Sequence, residues 1–136
     1  MATTQFELVT PTETLFSGHA EMIVCRTVEG EIAFLADHMP YIGVLDTGVV
    51  RIVGPEATGE AAGADIRVAV RGGFVEVKDN QVIMLADLAE LATDVDLEAA
   101  RLDETSAAQR SSGDSASDDD AADLRWAQAR IEAASS

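Results

Sequence analysis

Aromatic residues make up only 4% of this 136-residue chain, cysteine occurs once, and nine basic side chains stand against 25 acidic ones. Each shortage excludes something. With so few rings, Val, Ile, Leu and Ala must fill the core, and the 47% hydrophobic content is enough for one. The lone thiol, Cys25, rules out an internal disulfide and fits a reducing compartment. A net charge of −16 argues against nucleic-acid binding, because displacing phosphate counterions needs Lys and Arg. It argues equally against docking on, or inserting into, anionic lipid. Two readings of the charge stay open: a basic protein partner, or solubility alone. No apolar run is long enough to span a bilayer, and Met1-Ala2-Thr3-Thr4-Gln5 lacks the basic start and apolar stretch of a signal peptide. The expectation is a protein that stays where it is made.

Residues able to do chemistry are equally sparse. His19, His38 and Cys25 are the only imidazoles and thiol, and no His-x-His or Cys-x-x-Cys spacing offers a metal set. No metal and no cofactor are expected. Cys25 sits in an apolar strand pattern, where a thiol more often packs than attacks. Glu29 and Glu31 could be drawn as an acid–base pair, but across Gly30 they read more simply as solvated turn charges. The glycines at 72–73 and 59–63 are followed by no Gly-Lys-Ser/Thr, so they are not a phosphate-binding loop. No catalytic residue is assigned.

What is present is strand pattern. Gly72-Gly73-Phe74-Val75-Glu76-Val77, then the turn-forming Lys78-Asp79-Asn80, then Val82-Ile83-Met84-Leu85-Ala86-Asp87 predicts a β-hairpin. The paired glycines suit a sharp turn or a close backbone approach at its start. Ile66, Val68 and Val70 alternate with Arg67, Ala69 and Arg71. Met22 to Val28 is apolar at both parities, which predicts a strand covered on both faces. Residues 54–65 read as a long loop between strands. Near residue 93 the pattern becomes helical. Asp94 or Asp96 can cap a first helix with Val95, Ala99 and Leu102 on one face, and residues 110–120 read as a flexible acidic linker. A second helix from about Ala121 to Ala134 places Leu124 and Ile131 on one stripe. The expected architecture is α+β: a flattened β-sandwich of about ten short strands over residues 1–93, then an α-helical hairpin over residues 94–136 packed through Leu102, Leu124 and Ile131.

The order of short motifs is more specific than any one of them. Thr10-Pro11, Leu15-Phe16-Ser17-Gly18, Glu29-Gly30-Glu31, His38-x-Pro40, Gly48-x-Val50-Arg51-Ile52, the GGFVEV run and Leu85-Ala86-Asp87 follow one another. In that order they closely resemble the ε subunit of F-type ATP synthases, over about the first two-thirds of the chain. The resemblance implies a non-catalytic rotor subunit that couples ring rotation to ATP synthesis. It implies a γ-subunit partner, contact with the membrane c-ring, and a peripheral place on the cytoplasmic face of a bacterial membrane. By position, Glu29, Gly30, Glu31, His38 and Pro40 become candidate c-ring contacts, with His38 also able to bond within its own loop.

The C-terminal part departs from that pattern. Members that bind ATP on the hairpin carry a hydrophobic residue, Asp, two further residues and then an arginine at the start of the first helix. Here Val95-Asp96-Leu97-Glu98 matches the opening, but Ala99 stands in that arginine's place. Arg101 lies two residues on, turned by about 200° around a helix. Residues 94–136 hold eleven acidic groups against four arginines, a net −7. The resemblance therefore implies poor ATP sensing, weak inhibition, and at most a subsidiary contact with the α and β catalytic subunits through the helices. Two other functions stay open on the residues alone: a free-standing acidic adaptor, and a small enzyme using Cys25 or His38.

Overall fold

In the computed structural model, which describes residues 2–55, 65–113 and 117–135, ten strands precede two helices. The strands are β1 (Thr4–Val9), β2 (Thr14–Ala20), β3 (Met22–Thr27), β4 (Gly30–Leu35), β5 (Tyr41–Leu45), β6 (Gly48–Val53), β7 (Ile66–Val70), β8 (Gly73–Lys78), β9 (Gln81–Ala86) and β10 (Ala89–Leu91). A single 3₁₀ turn, Ala92–Asp94, leads to helices α1 (Leu97–Ser111) and α2 (Asp118–Ala134). Of the loop expected between Gly54 and Asp65, residues 56–64 lie outside the described residues.

One hydrogen-bonded path runs β10–β7–β6–β3–β5–β8–β9–β1–β2, with β4 paired to β3 off that path. Every described pairing is antiparallel except β1 with β9. β3 meets β5 through a single residue pair, Thr27 with Leu45, and there the path passes from one layer of the sandwich to the other. Alternation decides which side chains fill the space between layers. In β8, Val75 and Val77 point inward while Phe74, Glu76 and Lys78 stay exposed. Ile23 and Cys25 of β3, Val50 and Ile52 of β6, and Val82 and Met84 of β9 enter the same core. Phe6 and Phe34 join them fully buried, so two of the few rings are used at the centre rather than at the surface. β3 is fully covered on one face and partly on the other: Met22 and Val24 are half-buried, short of the full two-sided covering its composition predicted.

The predicted hairpin is β8–β9. Asp79 and Asn80 both have positive φ, 53° and 58°, as a two-residue type I′ turn requires. Asn80 then ties three segments together. Its side chain accepts from the Asp37 amide at 2.8 Å and donates to the Thr3 carbonyl at 3.1 Å, while its carbonyl accepts from Thr4 Oγ1 at 2.9 Å. At the other end of β8, Gly73 has φ 127°, and a Cβ there would collide with the Leu85 carbonyl oxygen. Gly30 has nearly the same φ, 126°, but open space around it.

That contrast separates backbone strain from collision. Gly30→Ala should cost about 1–2 kcal/mol, the penalty of a left-handed residue. Gly73→Ala adds overpacking of about 1–3 kcal/mol and should be clearly the worse of the two in urea unfolding. Equal losses would mean that the close approach to β9 is unimportant.

Candidate functional site

Val28 and Glu29 form the turn between β3 and β4, and Gly30 and Glu31 are the first two residues of β4. Thr27 holds the turn from below, with Oγ1 donating to the Gly30 carbonyl at 2.9 Å and accepting from the Glu29 amide at 3.2 Å. Both glutamates and Val28 project into solvent. His38 and Pro40 lie in the loop after β4. His38 Nδ1 is 2.7 Å from the Met39 carbonyl oxygen, and its ring meets Phe34 edge-on at 5.0 Å. The bond within the loop is therefore present, while Met39 beside it is 72% exposed. Register keeps the two groups apart. Gly30 pairs with Thr27 and Leu35 with Met22, so the glutamates and His38 flank opposite ends of β4, roughly 17 Å apart by strand rise.

A second surface was not singled out by sequence reasoning. Ile42 and Val44 of β5, Phe74 of β8 and Leu85 of β9 are exposed, Ile42 to 75% and Phe74 to 58%. Register sets Val44, Phe74 and Leu85 side by side across three strands, and Ile42, Glu76 and Ile83 in the next row. Ile42, Phe74, Glu76, Ile83 and Leu85 line a shallow, mostly apolar depression on the outer face. The signal was available: β9 is apolar at both parities, the mark of a strand meant to be covered twice.

The hairpin packs differently from its prediction. Asp96 is the cap of α1, accepting from the Ala99 amide at 3.1 Å. Ser117 and Asp120 cap α2 reciprocally, at 3.2 and 3.1 Å. The expected linker over 110–120 is thus too long: Arg110 and Ser111 belong to α1, and Asp118–Asp120 form the first turn of α2. There the three acids also complement the helix dipole. Leu102 does not pack in the hairpin; it is 67% exposed. The buried residues of α1 are Ala100 and Ala107, and Leu102 stands two residues past Ala100, about 200° around the axis. Leu124 and Ile131 are partly buried, but the fully covered positions of α2 are Ala127, Ala129 and Ala133. Ala129 and Ala133 pack on Ala69 of β7, beside Val49 and Trp126.

With so little apolar area in that seam, ion pairs carry much of the docking. Arg71, the residue after β7, reaches Asp123 at 2.8 Å. Arg110 joins the ends of the helices through Asp120 at 3.2 Å. The hydrogen bond from the Ser117 backbone amide, with Arg110 adding to it, holds the Asp120 carboxyl below its ordinary value. Arg130 is the most shielded of these cations, 14% exposed. It bonds Glu90 of β10 at 3.0 Å and Asp103 of α1 at 3.2 Å, and lies over the Trp126 ring. One guanidinium thus links the sandwich and both helices.

Among the described residues nothing catalytic is assembled. Cys25 faces the core, and burial, with Glu31 adding repulsion, pushes its thiol up to about 12. It is not brought together with His38, and His19 stands exposed on β2. Among the described residues no group of His, Cys, Asp or Glu could hold a metal ion, and no helix is long and apolar enough to cross a membrane.

Residues 3–92 match the family model described as ATP synthase, Delta/Epsilon chain, beta-sandwich domain. The chain is 42% identical over 110 residues to the ATP synthase epsilon chain of Thermobifida fusca, covering 79% of this chain and 77% of that one. It is 41% identical over 95 residues to that of Brevibacillus brevis, covering 70% and 67%. In fold it is similar to a chain of the Euglena gracilis mitochondrial ATP synthase, an OSCP/F1/c-ring structure. The TM-score is 0.80 at 22% identity, over all of this chain and 83% of the other. A chain of the Tetrahymena thermophila central stalk and c-ring gives a TM-score of 0.54 at 21% identity, over 68% and 69%.

Two outcomes follow from this geometry. Arg130→Ala leaves Glu90 half-buried without its partner and should lower stability by about 1.5–3 kcal/mol. Amide exchange should quicken in α1 and α2 well before the sandwich strands; uniform quickening would contradict the linking role. Because the Cys25 thiol stays protonated at pH 8, maleimide should label it only after unfolding, and labelling of the native chain would contradict its burial.

Proposed function

The chain belongs to the epsilon-chain family of ATP synthases, whose members are non-catalytic subunits of that complex, and from this premise we propose how its surfaces divide the work of a rotor subunit. The apolar outer face of β5, β8 and β9 is the docking face for the γ subunit. The observation that carries this reading is the row Val44, Phe74 and Leu85 with Ile42 beside it: four large apolar side chains side by side on one exposed face. A contiguous apolar patch marks a partner surface, and its fully desolvated centre supplies most of the binding energy.

The acidic turn Glu29-Gly30-Glu31 meets the polar loops of the c-ring, where basic and amide side chains complement it. His38 and Pro40 join that contact only if the ring runs along the length of β4, since they flank its far end. The subunit sits peripherally against the membrane sector, on its cytoplasmic face, and passes rotation driven by proton flow to γ. Residues 1–93 form the unit that binds γ and the ring, and residues 94–136 form a separable hairpin. With Ala99 in place of a phosphate-binding arginine and a net −7 over 94–136, the hairpin senses ATP poorly and touches the catalytic subunits only weakly.

Reconstitution of a complex depleted of this subunit tests the assignments together. Phe74→Asp should leave the stability of the isolated chain within about 0.5 kcal/mol, as for exposed sites generally. It should weaken γ association by about tenfold or more, as expected for a residue at the centre of an interface. Undiminished association would reject the docking face. Reversing both Glu29 and Glu31 to Lys should lower proton-driven synthesis without releasing γ, the loss of each pair being on the order of 0.2–1 kcal/mol. A chain ending at residue 93 should still bind and leave ATP hydrolysis nearly unchanged; several-fold activation would show the hairpin to be a real brake.

A further inference from the structure

The opposite outer face carries four of the nine cations of this acidic chain, Arg26 on β3, Arg51 on β6, Arg67 on β7 and Arg71 just after β7. Arg71 is paired with Asp123, and Arg26 sits directly across from Glu31. The remaining two are different. Arg51 of β6 and Arg67 of β7 occupy directly opposed positions in the antiparallel pair. Opposed residues place their Cβ atoms about 4.5–5.5 Å apart, and like charges there are destabilising. Neither guanidinium makes an ion pair with any described residue. Arg51 Nε is buried with no hydrogen-bond partner. The row continues through Val24 to Ala33, and Met22 and Val53 form the next row, so two half-exposed cations lie among apolar side chains.

We propose that the opposed Arg51–Arg67 pair is a docking surface for a carboxylate-bearing segment of another subunit of the same complex. One carboxylate between the two guanidiniums replaces their repulsion with two charge-assisted contacts. The apolar rim suits a protein segment, whose own apolar side chains can cover Met22, Val24 and Val53. Free polyanions are disfavoured, because the field of a −16 chain repels them at a distance. This surface is distinct from the apolar γ face, which lies on the other layer, and from the Glu29–Glu31 turn. The inference rests on the family reading only for the identity of the complex.

The signature of such a device is opposite signs in two measurements. Arg51→Gln, Arg67→Gln and the double variant are compared with the unaltered chain in thermal unfolding and in rebinding to the depleted complex at several salt concentrations. Relief of the like-charge pair should leave the isolated chain as stable or more stable. Rebinding should weaken by roughly fivefold or more, with a shallower salt dependence. Rebinding of the variants equal to that of the unaltered chain overturns the proposal. So does weaker rebinding that accompanies loss of stability, or failure of both single variants to fold, since the pair would then be structural. If the unaltered chain itself does not rebind, the family-based function fails instead, and the two failures are told apart.

Discussion

Nine cations serve a chain of 25 carboxylates, and where each guanidinium sits decides what holds to what. The sandwich needs none of them, because its layers close on Val, Ile, Leu, Met and two phenylalanines with backbone ladders between strands. The hairpin needs three. Alanine removes little apolar area from water per residue, at about 25 cal/mol per Å², so a seam of Ala100, Ala107, Ala127, Ala129 and Ala133 cannot dock two helices by burial alone. Arg71, Arg110 and Arg130 supply what is missing, and do so where carboxylates come from three different elements. The sandwich is therefore held by burial, and the hairpin by a thinner apolar seam to which these ion pairs add.

Much of the sandwich was legible because glycine and alternation mark strands cleanly. The β8–β9 hairpin was readable down to its turn, since Asp79-Asn80 tolerates positive φ and Val75 and Val77 alternate with polar or exposed partners. The helices were harder for identifiable reasons. Asp118–Asp120 look like a solvated linker until Ser117 is seen to cap them, and a reciprocal cap is a matter of geometry as much as of composition. Leu102 was expected inside because leucine is the stronger apolar signal, yet the buried stripe is set by two alanines seven positions apart.

The surfaces were legible only in part. Glu29–Glu31 announced itself as a turn, but its distance from His38 depends on the length of β4, which motif order does not convey. The exposed apolar row needed register. Ile42, Phe74 and Leu85 lie in separate stretches of sequence, and only strand pairing sets them in one patch. The same holds for Arg51 and Arg67, ordinary outward positions of two strands until pairing places them face to face. Two-sided apolarity misled at β3, where the outer face is only half covered, and would have informed at β9.

β1 carries a mechanical consequence. The first strand of the chain, it is held in parallel by β9 on one side and antiparallel by β2 on the other, over nearly its whole length. Tension along its axis slides it against both neighbours, so its cross-strand bonds are loaded in shear and share the force. A strand peeled from an edge gives up its bonds one after another. A body that transmits torque is stiffest when its first strand is sheathed in this way, with the load spread over two ladders before it reaches the rest of the sheet.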